Sequence, residues 1–220
     1  MPYKILYEDS SVIAVNKSEG LASISESDTS VETLHSMLGK ISEQKLFIVH
    51  RLDKEVSGVI LFAKNSKTHK YLNDQFAQRT VRKYYTALVH GIVKDDEGII
   101  NKSIREFGSG RMGIDEKKGK PCLTMYKVLK RYDNYTLLEL NPSTGRRHQL
   151  RVHLYYINHP IVGDLRYGDY SIQKNYPRLM LHAKSIEIMI SHNKPLFVEA
   201  KEPETFYSFL EKLKLQKTDK

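Results

Sequence analysis

Cys122 is the only cysteine in the 220 residues. One thiol closes no intrachain disulfide, so nothing ties the chain to an oxidising compartment, and a buried thiol is expected. No second cysteine supports the nine histidines. His148 and His153 stand at i and i+5, not the i, i+4 of a helical zinc pair, so no metal is expected. The segment Met1-Pro2-Tyr3-Lys4-Ile5-Leu6-Tyr7-Glu8-Asp9 lacks the apolar core of a secretory signal. No run approaches the ~20 apolar residues that cross a bilayer. A cytoplasmic protein with no membrane role is the expectation. A Gly-x-Ser-x-Gly elbow and a paired-carboxylate motif are also absent, which leaves a hydrolase built on Asp53 and His148 without support. No internal repeat, low-complexity linker or shift of composition divides the chain. The length allows one large domain or two small ones, and residues 1–220 are read as one.

Hydrophobic residues make up 40% of the chain, enough for an unaided core. Lysine and arginine number 35 against 26 acids, for a formal charge of +9, and there are 14 tyrosines. That balance is compatible with a polyanionic partner such as RNA, and equally with a basic protein that has no nucleic-acid role.

The pattern of short strands with helices interspersed predicts an α+β fold. Ile5–Tyr7 and Val12–Val15 read as strands around the turn 8–11. Residues 29–40 suit a helix capped by Thr29 or Ser30, with Leu34, Met37 and Leu38 at helical spacing. After a break at Ser57-Gly58, the run Val59–Ala63 suits a strand buried on both faces. A helix opens at Asn65 or Ser66 and ends near Arg79. Lys83–Val89 is a strand, and residues 105–120 are a loop or loose hairpin. Thr124–Arg131 and Tyr135–Leu140 form a strand pair. A helix follows Thr144-Gly145-Arg146-Arg147 and stops before Pro160. Strands at 179–190 and 195–199 and a helix at 204–214 close the chain.

Two charged constellations stand out. In His50-Arg51-Leu52-Asp53, the charged pair sits between apolar strands. Residues i and i+2 of an extended segment point the same way, so Arg51 and Asp53 either face one cleft or form a structural ion pair. In Gly145-Arg146-Arg147-His148-Gln149-Leu150-Arg151, basic side chains gather at a helix start, which suits anion binding or a solvated basic face. Apolar neighbours on both sides of Arg151 demand a partner for it, and a cleft carboxylate would serve.

Taken together, these segments resemble the RluA-type RNA pseudouridine synthases. His50-Arg51-Leu52-Asp53 with Ser57-Gly58 is similar to that family's HRLDxxTSG. Lys83-Tyr84-Tyr85-Thr86-Ala87-Leu88-Val89 is similar to its K-x-Y-x-A-L-V, and Gly145 to His153 to its GRTHQIRVH. His159-Pro160-Ile161-Val162-Gly163-Asp164, Leu181-His182-Ala183, and Gly119-Lys120 with Thr124 and Tyr126 continue the series in order across roughly residues 5–210. Val56 stands where the family has threonine, Lys17-Ser18-Glu19-Gly20 lacks the usual proline, which predicts a looser turn, and Arg147 replaces a small polar residue. No N-terminal S4 module is expected.

The resemblance implies a pseudouridine synthase fold: a mixed, mainly antiparallel sheet with flanking helices around a central RNA-binding cleft. It implies cleavage of the uracil N1–ribose C1′ bond, rotation of the base and rejoining through C5, with no cofactor. Asp53 would act on the ribose as a nucleophile at C1′ or as a base. Arg151, or else Arg146, would pair with Asp53. Tyr85 would stack on the uracil and assist proton removal from C5 after rejoining, and Arg51 would fill the space left by the flipped uridine. His50 would shape the loop. His148 and Gln149 would help bind substrate, and Leu150 and Ile60 would lie under the base. Lys64, Lys67, Lys70, Arg79, Arg82, Lys83, Lys117, Lys118 and Lys120 would grip phosphates. The expected partner is a ribosomal or transfer RNA stem-loop, bound by a monomer. A protein of this fold that binds RNA without catalysis is the alternative.

Overall fold

The computed structural model describes residues 2–25, 31–42 and 45–215. In chain order the elements are β1 (Tyr3–Glu8), β2 (Val12–Lys17), α1 (Leu34–Ile41), β3 (Phe47–Ile48), β4 (Ser57–Ala63), α2 (Ser66–Gln78) and β5 (Arg82–His90). There follow β6 (Glu97–Asn101), β7 (Ile104–Glu106), β8 (Met112–Ile114), β9 (Leu123–Arg131), β10 (Tyr135–Pro142) and α3 (Gln149–Tyr156). The chain ends with α4 (Tyr170–Gln173), β11 (Leu181–Ser191), β12 (Lys194–Glu199) and α5 (Glu204–Leu215). These form two compact units, each discontinuous in sequence: Met1–Lys83 with His182–Glu202, and Tyr84–Leu181 with Pro203–Lys220. Because each unit is assembled from separate stretches, no linker of distinctive composition marks a boundary.

In the first unit β4 is the axis. Every one of its residues is buried, as the apolar run predicts. β2 pairs antiparallel with it from Val12↔Ala63 to Lys17↔Gly58. The opposite edge is shared: β11 runs parallel to it at Ser57 and Gly58, and β3 antiparallel at Phe62 and Ala63. β1 adds to β2 and β12 to β11, both antiparallel. One sheet face gathers Val12, Ala14, Val59, Leu61, Ile186, Ile188 and Val198, and α2 covers it with Leu72 and Phe76. Asn65 caps α2 by accepting from Thr68 N–H (2.8 Å). At the other end Arg79 takes a left-handed conformation, φ 59°.

Two expectations need correction here. Ser57-Gly58 is the beginning of β4 and not a break before it. Gly58 has φ +118°, and a Cβ there would collide with the Ala183 backbone, so glycine is what lets β4 and β11 approach. The helix expected over 29–40 spans Leu34–Ile41, capped by Thr33 in a reciprocal bond with Ser36. Thr29 and Ser30, the expected caps, lie outside the described residues.

In the second unit β5, β10, β9 and β6 pair antiparallel in that order. Residues 105–120 do contain a hairpin, β7 with β8. Its Ile104, Met112 and Ile114 pack with Cys122, and with Val152 of α3 and Tyr167. β6 and the short α4 escaped the sequence reading, since five and four residues carry too little periodicity. Cys122 is a buried free thiol as expected, and burial pushes its pKa up. No helix among the described residues is long and apolar enough to cross a membrane.

Candidate active site

Asp53 lies in the loop between β3 and β4, and the backbone on either side of it is fastened from several directions. Val56 N–H donates back to the Asp53 carbonyl (3.1 Å). The Ser23 hydroxyl donates to the Leu52 carbonyl (2.7 Å) and accepts from Leu52 N–H (3.2 Å). Lys17 is wholly buried at the end of β2, and its ammonium donates to the carbonyls of Ser18 (3.0 Å), Leu21 (2.8 Å) and Lys54 (3.2 Å). Gly20 N–H donates to the same Lys54 carbonyl (2.9 Å). The turn at 17–20, expected to be looser for want of a proline, is thus held by Lys17 and by the loop that carries Asp53. Asp53 itself is partly exposed, Arg51 exposed, and Val56 buried.

His50 does shape this loop. Its Nε2 accepts from Leu61 N–H of β4 (3.0 Å), and its ring stacks on Phe76 with centroids 5.3 Å apart. Burial, with the nearby Lys83 ammonium, pushes its pKa down to about 3, so the ring is neutral and Nε2 stays an acceptor. Burial also lowers Lys83 to about 8, and its ammonium lies 5.8 Å from the Phe76 ring centre. At the start of β4 the Ser57 hydroxyl lies 2.9 Å from His182 Nδ1. His182 Nε2 lies 3.0 Å from the Ala200 carbonyl, which can only accept, so Ser57 is the donor to Nδ1. Ile60 is fully buried on the same strand.

The second unit carries the other candidate residues. Tyr85 stands on β5 opposite Leu140 of β10 and is partly exposed. Arg146 and Arg147 precede α3, and His148 enters it with φ 54°. Gln149 is the keystone of this bend. Its Oε1 accepts from the Thr144 hydroxyl (2.7 Å) and Arg146 N–H (3.1 Å). Its Nε2 donates to the Leu123 carbonyl (3.0 Å) and Thr124 Oγ1 (3.0 Å). With both donors and both lone pairs engaged, Gln149 has a structural role, not the substrate contact expected of it. Thr124 continues the chain to His153 Nδ1 (2.9 Å), and His153 Nε2 donates to the Lys102 carbonyl (3.1 Å). Burial lowers the His153 pKa. Leu150 is buried.

Arg151, the arginine whose surroundings demanded a partner, is gripped by Asp164. Its Nε and Nη2 donate to the two carboxylate oxygens at 2.8 and 2.7 Å, with both side chains buried. Asp164 also accepts from the N–H groups of Arg166 (3.0 Å) and Tyr167 (3.1 Å). The buried Tyr167 hydroxyl lies 2.7 Å from His148 Nδ1 and accepts from Met112 N–H (3.3 Å), while its ring lies 5.3 Å from the Arg151 guanidinium. The sequence alone points to no role for Asp164, Tyr167 or Lys17. Asp164 had a signal, since it ends the His159–Asp164 stretch, but spacing alone does not reveal that it faces Arg151.

Several of the expected phosphate-gripping cations are otherwise engaged. Lys64 pairs with Glu8 (2.8 Å) and Arg82 with Glu187 (3.6 Å), and Lys83 is half-buried. Lys67, Lys70, Arg79, Lys117, Lys118 and Lys120 are exposed.

A braced loop carrying a carboxylate in one unit and an arginine-rich helix start oriented by a buried acid in the other are the charged features the fold presents. The family model for RNA pseudouridylate synthase matches residues 11–156. The chain is 39% identical to ribosomal large subunit pseudouridine synthase D of Borreliella burgdorferi, over 96% of this chain and 68% of that protein. It is 35% identical to an uncharacterised RNA pseudouridine synthase of Zymomonas mobilis, over 92% and 95% of the two chains. The solved structure of human RNA pseudouridylate synthase domain containing 1 superposes with a TM-score of 0.78 at 31% identity, covering 91% of this chain and 84% of that one. The chain belongs to the RluA-type RNA pseudouridine synthases, and it is an isomerase of uridine in RNA.

Proposed function

We propose that the chain isomerises uridine in large-subunit ribosomal RNA, the substrate class named for its Borreliella relative, with Asp53 as the catalytic carboxylate. The observation that carries the role of Asp53 is the bracing around it. A group that attacks C1′ or takes a ribose proton must be held within a fraction of an ångström, and Lys17, Ser23 and His50 restrain the backbone that bears it. Arg151 is the arginine assigned to that carboxylate, with Arg146 as the second choice. Asp164 supports the assignment by fixing the guanidinium plane. Tyr85 stacks on the uracil, Arg51 fills the stack vacated by the flipped nucleotide, and His148 and Leu150 contribute to substrate binding. Ile60 backs the base from within the core. Residues 1–220 serve as one monomeric catalytic domain in the cytoplasm, and transfer RNA is the second substrate class.

The test is tritium release from transcripts of ribosomal and transfer RNA carrying uridine tritiated at C5. Release from a large-subunit transcript supports the proposal. Release from transfer RNA alone would reassign the substrate, and silence on every transcript would sink the catalytic reading. Asp53→Asn should bind RNA with unchanged affinity yet release no tritium, and activity in that variant would remove Asp53 from its role.

A further inference from the structure

The β7–β8 hairpin and the turn after it are built to present positive charge at fixed positions. Residues 102–120 contain three acids, Glu106, Asp115 and Glu116, and each has a cation. Glu106 holds Arg147 (2.9 Å), Asp115 holds Arg105 (2.7 Å) and Glu116 holds Lys102 (3.1 Å). Among the described residues, no carboxylate lies within ion-pair distance of Arg111, Lys117, Lys118 or Lys120, and all four are exposed.

These four cations do not sit on a loose loop. Asp115 Oδ1 accepts from the N–H groups of Lys117 (3.0 Å) and Lys118 (2.9 Å), Gly119 N–H donates to the Asp115 carbonyl (2.8 Å), and Lys120 bridges Ile104 through two backbone bonds. The Arg111 guanidinium lies over the rings of Tyr155 and Tyr167, 5.8 and 5.2 Å from their centres. Arg166 ties down the hairpin tip at the Gly110 carbonyl (2.7 Å), and Tyr167 accepts from Met112 N–H. The same Tyr167 touches His148 and the Arg151 guanidinium. The hairpin therefore shares its anchor with the arginine-rich helix start.

We propose that this hairpin and turn form an arm that docks the phosphate backbone of the RNA substrate, with Arg111, Lys117, Lys118 and Lys120 as its contacts. The inference rests on the reading of the chain as an RNA-modifying enzyme and adds where, outside the catalytic residues, the strand is gripped. RNA is the occupant because phosphate recognition needs an excess of positive charge, which remains here although Asp115 senses Lys118 as well as Arg105, and pre-set positions reduce the ordering cost of binding. A solvated basic face of the same unit looks different. On β9, Lys127 stands opposite both Glu97 and Glu139, so the charges there are mixed.

The experiment compares two triple variants that lose equal charge, Lys117→Gln/Lys118→Gln/Lys120→Gln on the arm and Lys94→Gln/Lys127→Gln/Lys130→Gln away from it, with Arg111→Gln as a fourth protein. Filter binding to a large-subunit transcript is measured from 50 to 300 mM salt, and steady-state tritium release on that transcript is followed in parallel. The arm triple should raise Kd and KM on the order of tenfold and lower the slope of log K against log salt by about 2, while kcat holds. Arg111→Gln should lower the slope by about 0.7–0.9. The control triple should leave the slope within error of wild type. Equal losses in both triples would reduce the effect to net charge and overturn the arm, as would wild-type binding by the arm triple. Binding is scored without turnover, so an inactive wild type would remove the catalytic reading and leave the test of the arm standing.

Discussion

The two charged segments that carry the candidate chemistry are held by opposite means. The Asp53 loop is braced through its backbone: carbonyls and N–H groups of residues 52, 54 and 61 meet Ser23, Lys17 and His50. The arginine segment is secured through its side chains, by the buried ion pair of Arg151 with Asp164 and by the fully engaged Gln149. A carboxylate that must do chemistry needs a fixed position, and a backbone held at several points supplies it. An arginine that orients needs its planar fork held, and a bidentate acid does that.

The difference can be broken in order of expected cost. Asp164→Asn leaves Arg151 buried against a neutral group and should destabilise the protein by about 3–5 kcal/mol in urea unfolding. In any folded fraction it should lower kcat more than it raises KM. Lys17→Met removes a donor from three backbone carbonyls, of which that of Lys54 keeps Gly20 N–H, and should cost about 2–3 kcal/mol, with a loss of kcat because the loop around Asp53 loosens. If Lys17→Met left kcat intact, bracing of that loop would be irrelevant to catalysis.

A pH series sharpens the contrast with a smaller effect. Burial holds His50 neutral down to about pH 3, whereas the unfolded chain takes up that proton near pH 6.5. The unfolded state therefore binds more protons between those values, and stability, complete above pH 6.5, declines as pH falls toward 3. His50→Gln should flatten urea midpoints across that window. Asp9 acts lower. Burial alone would raise its pKa, but bonds from Lys194, Val12, Ser11 and Tyr7 outweigh it and hold it at about 2, so its contribution is lost between pH 3.8 and 2. The smallest effect is expected at the partly exposed Arg147–Glu106 pair, where Arg147→Ser should cost about 0.2–1 kcal/mol and weaken with salt. A larger cost would mean that the hairpin depends on that bridge for its place.

Much of this was legible in the residues. The continuous apolar run at 59–63 fixed a doubly buried strand, Asn65 and Arg79 bounded α2, and the ordered motifs from His50 to His182 pointed to the family. What escaped was short or non-local. Four-residue α4 has no periodicity to detect. The start of α1 depends on Thr33 finding Ser36, and Gly58 belongs to a strand only because Ala183 leaves no room for a side chain. The family resemblance implied a substrate contact for Gln149, yet its partners are Leu123, Thr124 and Thr144, reached through the fold.

By itself, then, the sequence determined the class of chemistry and which residue types could perform it, since a carboxylate, a tyrosine and an arginine cluster carry their reactivity wherever they stand. Only the tertiary structure decided what each one faces. Asp164 became the holder of Arg151, Lys17 the clasp of the Asp53 loop, and Arg111 a member of a pinned basic arm. The physical reason is that hydrogen bonds and ion pairs act over about 3 Å in space, and the chain brings such partners together from positions that are 13 residues apart for Arg151 and Asp164 and 37 apart for Lys17 and Lys54.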